Sequence, residues 1–333
     1  MHGGTRIIPP AGITGETLFP HPASAPVYLA KTYPKGGTPH MLRRPSLPVL
    51  AICAGQTIWG FSYLFIRVAL RYASPDVMLA MRFVLAFALI NIPLLTGRQK
   101  ISLKGKPLKP LVLFAITEPL YFLVESYAVL YTNSTYTGVM LAVSPIGSIA
   151  LAALLLQEYP SRRQLLFCLL PITGVILITL SGSTLGIVTP KGAFFLAATC
   201  AVSASMRTFN RMSAQTYTSF ERTYFIMLSG AAVFFVIALV RFRSQPQAFT
   251  EPLSHPLFLM AIFVLSVLCS VAANLLVNYA AGNMPVATYS SFGTITTVCS
   301  TFSGVIFLHE PLTLTALAGA VLIIVGIRQV LRS

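Results

Sequence analysis

From residue 48 onward the chain repeats one pattern: an apolar run, then a short polar interruption rich in proline, glycine or charge. The apolar runs cover 48–70, 74–96, 110–131, 133–156, 164–182, 188–208, 218–240, 256–281, 284–308 and 312–331. Between them stand breaks such as "RYASPD", "GRQKISLKGKPLKP", "QEYPSRRQ", "RFRSQPQAFTEPLSHP" and "HEPLT". Runs of about twenty residues match a helix crossing the hydrocarbon layer and are too long for barrel strands. In lipid only helices and closed barrels satisfy every backbone group. The pattern therefore predicts an all-α integral membrane protein of ten transmembrane helices.

The first 45 residues break the pattern. They are rich in Pro and Gly and hold no apolar run long enough to span a bilayer or serve as a signal segment. They read as a disordered tail, or as sequence upstream of the translated start, with Met41 before "LRRPSLP" as the alternative initiator.

Composition agrees with the pattern. Of 333 residues, 55% are hydrophobic and 9% charged, so there is too little polar material to cover a water-facing surface. A net charge of +15 would point to nucleic acid in a soluble protein. Here the basic residues gather in the breaks, so nucleic acid is excluded as a partner and they read as topology signals. With the N-terminus inside, the inner side collects Arg43, Arg44, Arg98, Lys100, Lys104, Lys106, Lys109, Arg162, Arg163, Arg207, Arg211, Arg328 and Arg332. The outer side receives chiefly Arg71, Lys191, Arg241 and Arg243. That asymmetry predicts a multi-pass protein of the cytoplasmic membrane with both termini in the cytoplasm. Its surroundings are membrane lipids, and the basic Arg98–Lys109 loop reads as orientation rather than lipid recognition. Cys53, Cys168, Cys200, Cys269 and Cys299 all lie in apolar runs without CxxC or metal spacing. They read as packing residues, and neither a metal nor a cofactor is expected.

The chain also repeats itself. "LLLQEYPSRRQLLFCLLPITGVILI" and "VIFLHEPLTLTALAGAVLIIVGIRQ" each place a Glu at the end of a run, a Pro at the start of the next and a Gly sixteen residues past the Glu. These are Glu158 with Gly174 and Glu310 with Gly326. Each half holds five runs, an odd number, so the second half must enter the membrane inverted. Inverted repeats can rock about a site at the midplane, which is a transporter architecture.

"TIWGFSYLFIRVAL", "SPDVMLAMRFVLAFAL", "SPIGSIALAALLLQEYPS" and "GVILI", with "FLHEPLTLTALAGAVLIIVGI" in the second half, resemble the EamA-type repeats of the drug/metabolite transporter superfamily. The resemblance divides the chain into a first five-helix repeat at 46–185 and a second at 186–331. It implies that helices 1–4 and 6–9 enclose a central cavity, with helices 5 and 10 to the side. It also implies transport of amino acids or other small metabolites, often outward. Thr297 stands where the first repeat has Pro145, so the two halves should bend differently.

Glu118 and Glu125 lie inside "AITEPLYFLVESYAVLYT". Seven residues apart, they share a helix face and are about 10 Å apart along the axis. A charge at that depth costs at least a few kcal/mol, so each acid must be protonated, paired or facing water. The pair suits two stations for a proton or a substrate ammonium; the plainer reading is helix-to-helix pairing. Arg82 matches Glu125 in depth and is expected beside it, as a charge balance or as a fixed structural pair. Arg222 occupies a roughly inverted position, with Glu221 beside it as a neutralising acid. Trp59, Tyr63, Tyr121 and Phe122 would give the cavity aromatic walls, or pack as ordinary aromatics. Asn274 and Asn278 form a polar stripe that faces the acids or bonds neighbouring helices. Glu158 and Glu310 read as turn-makers at helix junctions. Gly182 with Gly186 forms a GxxxG that points to a homodimer.

The function implied is secondary transport of a small amino-acid-like or amphiphilic metabolite, driven by an ion gradient or the substrate's own. The alternative is a lipid or lipid-carrier flippase on the same fold. An enzyme is not expected: the sequence has no HExxH, GxSxG or P-loop and no clustered histidines.

Overall fold

The structure is a computed structural model that describes residues 46–131, 134–180, 189–308 and 313–332. The tail and the Gly182–Gly186 motif lie outside the described residues, as does Glu310. Among the described residues every regular element is helical and no strand occurs.

Helix starts follow local chemistry. Proline stands in the first turn of α1 (Leu47–Ala69), α2 (Pro75–Leu95) and α6 (Pro190–Ser213), where its missing N–H costs nothing and its fixed φ favours the helix. Thr189 accepts from Gly192 N at the start of α6. Thr218 and Glu221 form a reciprocal capping box at the start of α7 (Ser219–Ser244). The remaining long helices are α3 (Leu108–Tyr131), α4 (Ser134–Leu156), α5 (Arg162–Leu180), α8 (Pro256–Asn283) and α10 (Leu314–Arg332). α9 comes in two pieces, Val286–Phe292 and Ile295–Leu308, interrupted at Gly293–Thr294. Its counterpart α4 runs unbroken through Pro145, so the halves do differ here. The break lies at Gly293–Thr294, ahead of Thr297.

Among the described residues, five helical stretches are long and apolar enough to cross a membrane: Leu47–Ile66, Pro75–Leu95, Pro190–Ser213, Ser219–Ser244 and Pro256–Asn283. Large apolar side chains also face outward, including Leu95, Leu154, Val240 and Ile324. An outer face of that kind suits lipid and would be a liability in water.

The packing follows the two-repeat plan. α1 packs on α8 and α9, while α6 packs on α3 and α4; α2 meets α7, and α5 meets α10. Exchanging the two halves maps these pairs onto one another. A helix that meets its own counterpart across an inverted repeat must run antiparallel to it, and both such pairs do. Asp76 bonds Arg241 at one end of α2–α7, Phe83 packs on Gly230 in the middle, and Tyr224 donates to Asn91 at the other. In α5–α10, Pro171 lies against Gly326 and Ile178 against Gly319. A Cβ on Gly174 would strike the Gly319 carbonyl and Ile323, and one on Gly326 would strike the Pro171 ring. The 152-residue offset between Glu158 and Glu310 converts the Pro171–Gly326 contact into Ile323–Gly174, and both are present.

Two apolar cores lie around the centre. One, between α2, α3, α7 and α8, includes Phe83, Phe234 and Phe258; the other, between α1, α5, α8, α9 and α10, includes Ile52, Phe292 and Ile323.

Candidate functional site

A cavity of about 260 Å³ opens between the two halves. α3 brings Glu118, Tyr121, Phe122 and Glu125 to it, α2 brings Arg82, α1 brings Trp59 and α8 brings Asn274. The seven-residue spacing of the acids thus places both on the lining. α7 supplies no lining residue among those described, and α5 supplies Val175. The expectation that α7 would wall the cavity is corrected: its inner face is absorbed by packing on α2, through Phe83 on Gly230 and Phe234.

Backbone irregularities flank the acids. Pro119 has no N–H to give the Ala115 carbonyl, and Ser229 Oγ of α7 donates to that carbonyl instead. Across the cavity, residues Leu265–Ala272 of α8 form a π-helical segment. There the Cys269 carbonyl accepts the Trp59 indole N–H at 2.8 Å. π turns inside α-helices are frequent at functional sites.

The same segment holds Arg82. Its Nε donates to Ser270 Oγ at 2.7 Å, and Ser266 Oγ donates to the Arg82 carbonyl at 3.0 Å. Its guanidinium carbon lies 5.4 Å from the Phe122 ring centre and 5.8 Å from that of Phe83, within cation–π range. The expected pairing with Glu125 is corrected: Arg82 forms no ion pair within 4 Å among the described residues. It stands within electrostatic reach of both acids. The reason is the π segment, which places a hydroxyl closer than either carboxylate.

Glu118 is buried, and its described contact is the Asn274 amide at 3.5 Å, long for a hydrogen bond. That amide bonds the Ser270 carbonyl at 2.8 Å. Glu125 accepts from Tyr121 Oη at 2.7 Å. The side chain of Tyr63 lies outside the described residues.

Asn278 is not on the lining. Four residues past Asn274 it sits about 6 Å further along the axis, in a buried junction of α6, α7 and α8. There Asn210 donates to it at 2.8 Å, it donates to Thr223 at 2.8 Å, and its carbonyl accepts from Arg222. Arg222 also bonds Asn210. Glu221 does not neutralise Arg222; it pairs with Lys106 at 2.8 Å and accepts Ser102 N at 2.9 Å. Glu158 proves more than a turn-maker. One oxygen takes Arg211 Nε at 2.8 Å and the other the Val286 N–H at 2.9 Å, capping α9 rather than the helix that follows it.

Arg207 was expected on the inner surface as a topology signal, and the structure instead points it into the cavity. The clue was present in "SASMRTFNR": Ser203, Arg207 and Asn210 follow helical spacing and all three line the cavity. Counting basic residues by their distance from a helix end treats such a residue as part of the loop.

A model of the EamA-like transporter family matches residues 46–180 and 190–332. The chain is 32% identical over 274 residues to the uncharacterized transporter YcxC of Bacillus subtilis (strain 168), covering 81% of this chain and 88% of that one. It is 24% identical over 277 residues to an uncharacterized transporter of Archaeoglobus fulgidus, covering 83% and 95%. A solved crystal structure shares the fold at a TM-score of 0.70 and 16% identity, covering 86% of this chain and 96% of that one.

Proposed function

The chain belongs to the EamA-like transporter family, and from that premise we propose that it is a ten-span secondary transporter moving a small amino-acid-like or amphiphilic metabolite out across the cytoplasmic membrane. The observation that supports this most is the lining: two carboxylates and two arginines, inside an otherwise apolar protein, face one cavity with aromatic walls. Charges so placed are costly to keep and mark substrate or ion pathways. Glu118 and Glu125 serve as stations for a proton or a substrate ammonium. Arg82 balances their charge, and Trp59, Tyr121 and Phe122 receive the apolar part of the substrate. Both termini face the cytoplasm. Arg207 and Arg211 leave the inner-surface count, and the remaining basic residues still favour that side.

The test compares metabolites released by cells with and without the gene, and by cells carrying Glu118→Gln. The wild type should release one compound class that the deletion retains. Glu118→Gln should reach the membrane in normal amount and lose most of that release, and what remains should depend less on pH. Normal release with an unchanged pH response would reduce Glu118 to a packing residue.

A further inference from the structure

Arg82 attends to the two acids, which leaves a second cation in the same cavity to be explained. Arg207 lies where α6 crosses the break in α9. Its Nη1 donates to the Ser290 carbonyl at 3.3 Å. Its Nε is buried and has no partner among the described residues, and the same holds for the hydroxyl of Ser290, a residue 0% exposed. Buried donors in native proteins are almost always satisfied, so two unsatisfied ones on a cavity wall ask for an acceptor. Neither Glu118 nor Glu125 supplies it, since Arg82 is the cation within their reach.

The backbone makes room for this arrangement. The Arg207 guanidinium lies against Gly293, where a Cβ would come within 2.6 Å of Nη1 and 3.0 Å of Nη2. Gly293 has an ordinary helical φ of −55°, so glycine is needed here for the close approach and not for the turn. A guanidinium packed close against a glycine on the cavity wall, with its Nε and the Ser290 hydroxyl both unsatisfied, offers the kind of donors that recognise a carboxylate.

We propose that Arg207, Ser290 and Gly293 form a binding subsite for a carboxylate group of the transported molecule. The cavity then holds an acceptor end, at Glu118 and Glu125, and a donor end, at Arg207. A molecule carrying both an ammonium and a carboxylate is bound at both poles. This rests on the transport reading above and narrows its substrate class.

Trp59 is the single tryptophan of the chain and lines the same cavity, so its fluorescence reports occupancy without a label. The full-length protein in detergent is titrated at fixed ionic strength with 3-phenylpropanoate, with its neutral amide and with chloride. A saturable response to the carboxylate that is weaker for the amide by roughly ten- to a hundredfold is expected, from the loss of a charge-assisted contact. Arg207→Gln should abolish that preference and Arg207→Lys should restore part of it. Gly293→Ala keeps the charge and pushes the guanidinium aside; it should weaken the carboxylate response by more than the amide response, narrowing the preference. It also guards against an Arg207 variant that fails to fold. Equal responses to carboxylate and amide, no saturable carboxylate response in the wild type, or a response matched by chloride would each overturn the subsite. Loss of the preference in Arg207→Gln together with normal transport by Glu118→Gln would sink the transport path and leave the subsite standing.

Discussion

Pro119 leaves the Ala115 carbonyl without its helical donor one turn before Glu118, and Ser229 Oγ takes the donor's place. That hydroxyl also bonds the Ile226 carbonyl at 3.1 Å within its own helix, so a single serine ties α7 to α3 at the depth of the acid. Ser229→Ala should cost about 1 kcal/mol, read as a lower melting temperature of the detergent-purified protein. Pro119→Ala restores an N–H to the same carbonyl, so the loss should shrink in that background. An equal cost in both backgrounds would show that the serine acts elsewhere. Residue positions were legible in the sequence where spacing decides them: Glu118 and Glu125 share a face, and the structure puts both on one lining. They were illegible where a backbone irregularity decides. Nothing in "LSVLCSVA" announces a π segment, yet that segment gives Arg82 a hydroxyl partner in place of Glu125.

At the scale of elements, glycines set how closely α5 and α10 approach. Gly174 and Gly319 each face the other's carbonyl, with Ile323 and Ile178 filling the flanks. Close approach through small residues is how helices gain packing energy in lipid, where apolar surface alone gives no drive to associate. Gly174→Leu should therefore destabilise the protein by about 1–3 kcal/mol. Ile324→Leu, on the exposed side of α10, should change stability by less than about 0.5 kcal/mol. Melting curves of the two variants check this, and an unshifted Gly174→Leu would mean the helices do not meet there. The limits of the helices were legible because apolar runs and proline starts are local signals. α6, expected at 188–208, extends to Ser213. Its last turn holds Asn210 and Arg211, which are polar in sequence but buried against α8, α9 and Glu158. Tertiary partners, not hydropathy, decide where that helix stops.

For the whole molecule, orientation rests on the basic loops. Single cysteines introduced on a Cys-free background into Arg98–Lys109 should resist impermeant thiol reagents in intact cells, and those in Arg243–His255 should react. The reverse labelling would swap every inner and outer assignment. The inverted plan carries a further consequence, because its scaffold repeats while its lining does not. Counted from the helix starts, Arg82 in α2 corresponds to Ile226 in α7, Glu118 in α3 to Ser266 in α8, and Glu125 to Ala273. Each charge faces a neutral counterpart. In the transport cycle proposed above, turning the cavity from one side of the membrane to the other would exchange the conformations of the two halves, so packing terms common to both halves would cancel between the two states. The few unmatched residues are left to set the resting balance. A change at the α5–α10 contact should then alter how firmly the protein folds without favouring either side. A change at Arg82, Glu118 or Glu125 should tilt the occupancy of the two states, in proportion to its differential effect on them.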